Sequence, residues 1–337
     1  YNTAIGKSAM QANTTGAANT AVGRSALAAN TTGTCNTAVG CAALVTNTTG
    51  CKNVAVGSLS LDANTEGCQN TSVGMQSLTS NTTGDSNTAI GQNALNANTT
   101  ADNNTAVGRS ALVSNTTGCR NVVLGSSAGL AISTGNENVA IGYEALKNED
   151  GHGRNTAVGT QALFAQNAGQ DANNVAVGFQ AGASISTGSN NVAVGSLALD
   201  ANTTANNNTA LGFQSLTANT TGANNIAVGS CSMLNNTTGG ENISIGKVAM
   251  CCNTEGANNT AIGHIALRAN TTASNNTAIG YSALTANTTG ASNVAVGMSA
   301  LNANTTAGSN VAVGFESLNA NTTGAENVAV GSTAMTS

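Results

Sequence analysis

The chain has 337 residues with a formal net charge of −5, 7% charged and 2% aromatic residues, no Pro and no Trp. No basic block is present to neutralise phosphates, so no nucleic-acid partner is expected, and no apolar run reaches the roughly 18 residues of a membrane span. Two His and sparse, unpaired carboxylates supply neither metal spacing nor a triad, so the chain reads as a non-enzyme with no catalytic residue, cofactor or metal.

One phrase fills the sequence. Coils open at Asn2, Asn19, Asn36, Asn53 and Asn70, and continue at steps of 17 to Asn155; after a step of 19 they resume at Asn174 and run at 17 to Asn327. With the opening Asn as position 0, +1 is Thr, Val or Ile, +3 is Val, Ile or Leu, and +4 is always Gly. Position +2 is Ala except at Ser72, Val123 and Ser244, +7 is Ala or Ser, and +8 is Leu or Met except at Gly129 and Gly182. A run such as "NVAVG" (53–57) alternates with period two and is β-branched, which predicts a short strand ended by Gly. "NTTG" then reads as a turn whose Asn and Gly tolerate positive φ.

Seventeen residues cannot hold two packed helices, so each repeat is expected to be one coil. The expected fold is all-β, a parallel β-solenoid of about twenty coils forming a single continuous array over 1–337. Its regular coils cover 2–120 and 191–337, with an irregular centre at 121–190. At about 4.8 Å per rung, twenty coils would make a rod of roughly 95 Å. Both chain ends fall close to the repeat register, as expected of a piece of a longer array or of a processed product.

Stacking predicts an Asn ladder at Asn19, Asn36, Asn53 and Asn70. It also predicts an apolar core built from +3 and +8, including Val22, Leu27, Val39 and Leu44. Because all charged residues avoid positions 0 to +4, +7 and +8, those positions are expected to face inward or to be covered. Position +2 should then point away from the core, and its small size suggests close lateral approach of another chain.

Further along, Cys51 and Cys68 share position +15 of consecutive coils, close enough for a disulfide or simply small turn residues. Cys251 and Cys252 are neighbours that should point oppositely. The "NTT" sequons at Asn13, Asn30 and Asn47 are either glycosylation acceptors or turn chemistry. In the centre, "SSAGLAISTG" and "FQAGASISTG" lose the +8 Leu and gain Ile132 and Ile185 at +11, which suggests an alternative return path filling the same core. Residues 143–173 replace "NTTG" and add two residues; His152 there, in "KNEDGHGR", and His264 at +5 read as surface residues. Position +5 is large and variable, with five of the seven aromatics: Tyr143, Phe179, Phe213, Tyr281 and Phe315. These five form a candidate contact stripe.

The "NTAVG" and "NVAIG" segments, each followed by an Ala-containing return and a Gly-ended turn, resemble the YadA-like head repeats of trimeric autotransporter adhesins. They are also similar to phage tail-fibre and bacterial surface-fibre repeats. The resemblance covers essentially the whole chain. It implies a left-handed β-roll, three chains side by side, attached to a cell or virion surface. The expected function is therefore an extracellular structural and adhesive fibre that presents a multivalent surface. The partners would be the chain itself (a homotrimer, with end-to-end filament growth) and a surface ligand. A phage tail-fibre shaft and an ice-binding solenoid are the alternatives.

Overall fold

The computed structural model describes residues 1–336, which contain strands and turns and no helix. The chain divides into two compact units, Tyr1–Ala172 and a second that begins at Asn173. Strands of three residues occupy positions +1 to +3 of every coil. Ten lie in the first unit, from β1 (Thr3–Ile5) to β10 (Thr156–Val158), and ten in the second, from β11 (Val175–Val177) to β20 (Val328–Val330).

Within each unit, neighbouring strands pair in parallel, each position opposite its own copy. Thr20 faces Thr37, Ala21 faces Ala38 and Val22 faces Val39; Val294, Ala295 and Val296 face Val311, Ala312 and Val313. The architecture is a parallel β-solenoid with one coil per repeat.

Coil-to-coil hydrogen bonds extend beyond the strands. Thr20 N donates to Asn36 O at 2.8 Å, Leu27 N to Ala43 O at 3.0 Å, Thr31 N to Thr48 O at 3.0 Å, and Cys35 N to Ala17 O at 3.0 Å. A proline at any of these positions would delete one such bond, which accounts for a sequence without proline.

The turns differ from the expected chemistry. Positive φ falls on non-glycine residues at +6, +8 and +16, as at Ser25 (57°), Leu27 (52°) and Cys35 (60°). Such residues cost roughly 1–2 kcal/mol each in this region, and stacking must offset that in every coil. The Asn and Gly of "NTTG" are not among the positive-φ residues. Gly33 is there for space, since a Cβ would lie 2.4 Å from both the Asn30 amide oxygen and Gly50 O. Gly23 at +4 does need its conformation, with φ +137° and Gly40 O 2.3 Å from where a Cβ would stand.

The two faces of the strand are the reverse of the expectation. Position +2 points inward: Ala21, Ala38 and Ala55 are fully buried. Val22 and Val39 are therefore not core residues; Val22 is half-buried and Val39 is 36% exposed. The interior is narrow. Leu27 and Leu44 fill it against small residues at +2 and +7, and all are solvent-free. A Val or Ile at +2 would overfill most coils, whereas the outer face has room for one.

Both polar ladders lie inside. Asn36 N donates to the Asn19 amide oxygen at 2.9 Å, while Asn36 Nδ2 donates to Gly50 O at 2.8 Å. The same pattern continues through Asn53 and Asn70. A second ladder, at +11, joins side chain to side chain: Asn47 Nδ2 donates to Asn30 Oδ1 at 2.9 Å and to its own coil's Gly50 O at 3.0 Å. Asn30 and Asn47 are fully buried, so the folded coil offers neither sequon to a glycosylating enzyme.

The exceptions at +2 follow from its inward direction. Ser72 is held by Ser60 Oγ at 2.8 Å and Ser77 Oγ at 2.6 Å, and Ser244 by Ser232 Oγ at 2.8 Å. Each buried hydroxyl thus meets a partner on the facing +7 column. Val123 fills the space left at Gly129: a Cβ on Gly129 would meet Ile132 Cδ1 at 3.1 Å and Val123 Cγ2 at 3.3 Å. Gly129 and Gly182 keep φ of 54° and 58°, like the leucines they replace. The return path is unchanged, and Ile132 and Ile185, both buried, substitute volume rather than reroute the chain.

Gly129→Leu alone should therefore destabilise the first unit by about 1–3 kcal/mol through overpacking. Combined with Val123→Ala and Ile132→Asn, which restore the common coil, most of that loss should return. The denaturation midpoints of the single and triple variants measure the coupling.

Candidate binding surface

The outer strand face carries positions +1 and +3. Val54, Ile226 and Ile243 at +1, and Val39, Ile90, Leu211 and Ile262 at +3, are exposed. Position +3 is apolar in all twenty coils, so each unit presents a continuous apolar column to solvent. Monomeric proteins seldom leave such a column uncovered.

Beside it runs +5. Tyr143, in the first unit, and Phe179, Phe213, Tyr281 and Phe315, in the second, are 42–52% exposed. His264 and Tyr281, on adjacent coils, bring their ring centroids to 5.6 Å at an interplanar angle of 54°. Sequence reading found this stripe from its variability but missed its apolar neighbour at +3, which it had placed in the core.

A charged edge lies at +16 of the first unit. Arg120 pairs with Glu137 at 3.3 Å, Arg154 with Glu137 at 3.4 Å, and Arg154 with Asp171 at 3.2 Å. These pairs are largely exposed and add little stability, but they line a shallow cleft with Cys119 and Asn136.

The cysteines sit mostly on turns. Cys51 and Cys68 are free thiols with their sulfurs 2.7 Å apart. Burial first, then hydrogen bonding to Cys51, pushes the Cys68 thiol up to about 11. Cys251 and Cys252 do not point oppositely, because +9 and +10 belong to a turn and not a strand; their sulfurs are 3.5 Å apart. Oxidised glutathione should link Cys51 to Cys68 before any other pair, read as one bridged peptide in a non-reduced digest.

Irregular polar residues occur at two kinds of position. Asp62 and Asp200 stand at +9, where five other coils place a Thr or Asn that donates to the +6 carbonyl of the preceding coil. Thr79 donates to Leu59 O at 3.2 Å and Asn96 to Gln76 O at 3.0 Å. An ionised carboxylate cannot donate, and one oxygen of each aspartate is shielded without a partner. Burial raises both acids from their ordinary value of 3.8. Their stabilising protonated form is fully populated in the fold below the unfolded value and lost as pH rises through the raised one. Asp62→Asn should raise the denaturation midpoint at pH 7 by the worth of about one hydrogen bond, ~0.5–1.5 kcal/mol, and flatten its pH dependence; unchanged midpoints would exclude the missing donor.

The second cluster is "EDGH" (149–152). Glu149 is fully buried, with His152 Nδ1 3.6 Å from its carboxylate. Burial pushes Glu149 up to about 7. His264 belongs to the second unit, at +5 beside Tyr281.

Compared with protein-family models and with curated proteins, the chain matches none. No helix among the described residues is long and apolar enough to cross a membrane.

Proposed function

We propose that the chain is a segment of an extracellular structural and adhesive fibre, a homotrimer whose copies meet through the outer strand face. The observation that carries this reading is the +3 column, outward-facing yet apolar in every coil. An isolated solenoid has no use for a column of exposed and half-buried Val, Ile and Leu side chains, whereas a second copy would remove them from water. The small +2 residues belong to the core, so lateral packing is supported by their neighbours at +1 and +3 instead. The aromatic +5 residues border this face and would give many weak, identical contacts to a surface ligand, whose sum is avidity. A phage tail-fibre shaft would use the same chemistry.

Sedimentation equilibrium at micromolar concentration tests the reading. The expected result is a trimer, and Val39→Lys with Ile90→Lys should shift it toward monomer with unchanged strand content. A wild-type monomer would overturn it.

One observation favours ice binding as a second reading. Thr at +1 and an apolar residue at +3 lie two apart on one exposed, in-register face, as at Thr37 and Val39. The threonines of "NTT" do not form such an array, since Thr31 Oγ1 is spent on Thr48 O at 3.0 Å. Thermal hysteresis of the purified chain decides between the two readings.

A further inference from the structure

The coil that opens at Asn138 replaces the usual Asn-Thr-Thr-Gly by Glu149, Asp150, Gly151 and His152. The backbone keeps the common turn: Asn138 Nδ2 still donates to the +14 carbonyl, here His152 O, at 3.0 Å, and Thr134 N donates to Asp150 O at 3.3 Å. The side chains do not keep the common chemistry. Position +11 elsewhere holds a neutral amide that both donates and accepts; Glu149 places a fully buried carboxylate there. Position +14 elsewhere holds Gly or Ala; here it holds an imidazole.

This substitution coincides with the one insertion in the array. Gly169, at +14 of the following coil, is the glycine whose added Cβ would meet nothing within 4 Å, whereas Gly33 would strike the next coil's carbonyl at 2.4 Å. The displaced turn is what gives a side chain as large as His152 room at this position.

Three donor atoms converge in that space. His152 Nδ1 lies 3.6 Å from Glu149 Oε1 and 4.0 Å from Asp150 Oδ1, and one donor atom from each residue lies within 4.8 Å of the others. His152 Nδ1 is shielded from solvent and has no hydrogen-bond partner. The Glu149 carboxylate receives His152 N–H at 3.0 Å, which orients it toward the ring. Ligands held at about 2.1 Å around a tetrahedral or octahedral ion stand about 3.0–3.4 Å apart, so all three donor atoms must draw together to hold one ion.

The geometry points to a binding site for a divalent transition-metal ion of the Zn²⁺ class, held by Glu149, Asp150 and His152 Nδ1. The ion supplies the partner that Nδ1 lacks and brings positive charge to a buried carboxylate whose hydrogen bonds come from the neutral His152 N–H and the Asn155 amide. Two oxygens and one imidazole nitrogen suit a borderline cation. Asp150 is exposed, so the site is reached from solvent on that side.

The test uses the full chain, reduced, treated with EDTA and dialysed. Titration with ZnCl₂ is followed by the ring-nitrogen NMR signals of the two histidines, His264 serving as internal reference. The expected result is a His152 Nδ1 shift that saturates at one equivalent while His264 stays unmoved. His152→Gln and Glu149→Gln should each weaken binding at least tenfold, with unchanged far-UV circular dichroism in EDTA. Glu149→Gln keeps a side chain of the kind that Gln166 places at +11 of the next coil, so it preserves the fold. Zinc uptake by the thiols with His152 unmoved, equal shifts at both histidines, or wild-type affinity in both variants would overturn the proposal.

Discussion

Each group in this molecule meets its own copy one period away, and the structure depends on that constraint. With coils in register at 17 residues, a side chain that can bond to itself forms a ladder, and one that cannot is exposed or excluded. Asparagine satisfies the rule twice. At position 0 its carbonyl accepts a backbone amide of the next coil, and at +11 its amide bonds the amide of the preceding one. Buried charge fails the rule, because identical charges would stack about 4.8 Å apart in low dielectric. That is why charges are confined to +5, +6, +9, +15, +16 and the turn.

The same constraint explains where irregularity is tolerated. A change inside a coil must be answered on the adjoining wall. Ser72 and Ser244 appear where serines of +7 face them, and Val123 appears where Gly129 leaves a hole. Asn115 shows the cost when the answer is incomplete: the next coil supplies Ile132, and the Asn115 amide oxygen is left buried without a donor. The "EDGH" turn breaks the +11 ladder more severely, with a carboxylate in place of an amide, and it sits beside the coil whose turn carries two extra residues.

The outer surface obeys a weaker constraint and so carries the information about partners. An exposed column tolerates any residue that the local backbone allows, as the turn position +5 demonstrates. Position +3 faces solvent as well yet remains apolar throughout, so sterics alone do not account for it. Two exposed columns thus differ, one free to vary and one held apolar, as a face covered by a partner would be.

Much of the fold was legible in the sequence. The period, strands at +1 to +3, parallel one-coil stacking, the position 0 ladder and the buried leucines all follow from residues that recur at fixed spacing. The stripe residues stand exposed, and Ile132 and Ile185 lie inside because apolar volume lost at +8 must be replaced nearby. Alternation on a three-residue strand is symmetric, however: it says that +2 opposes +1 and +3, and not which side is the core. Only the tertiary structure decided that, because the narrow interior already holds Leu or Met at +8 in most coils and there leaves room at +2 for little more than Ala or Ser. The left-handed backbone at Ser25, Leu27 and Cys35 was likewise illegible, since no propensity marks leucine for positive φ. Stacking repays that strain, and stacking is a property of many coils together, not of any one of them.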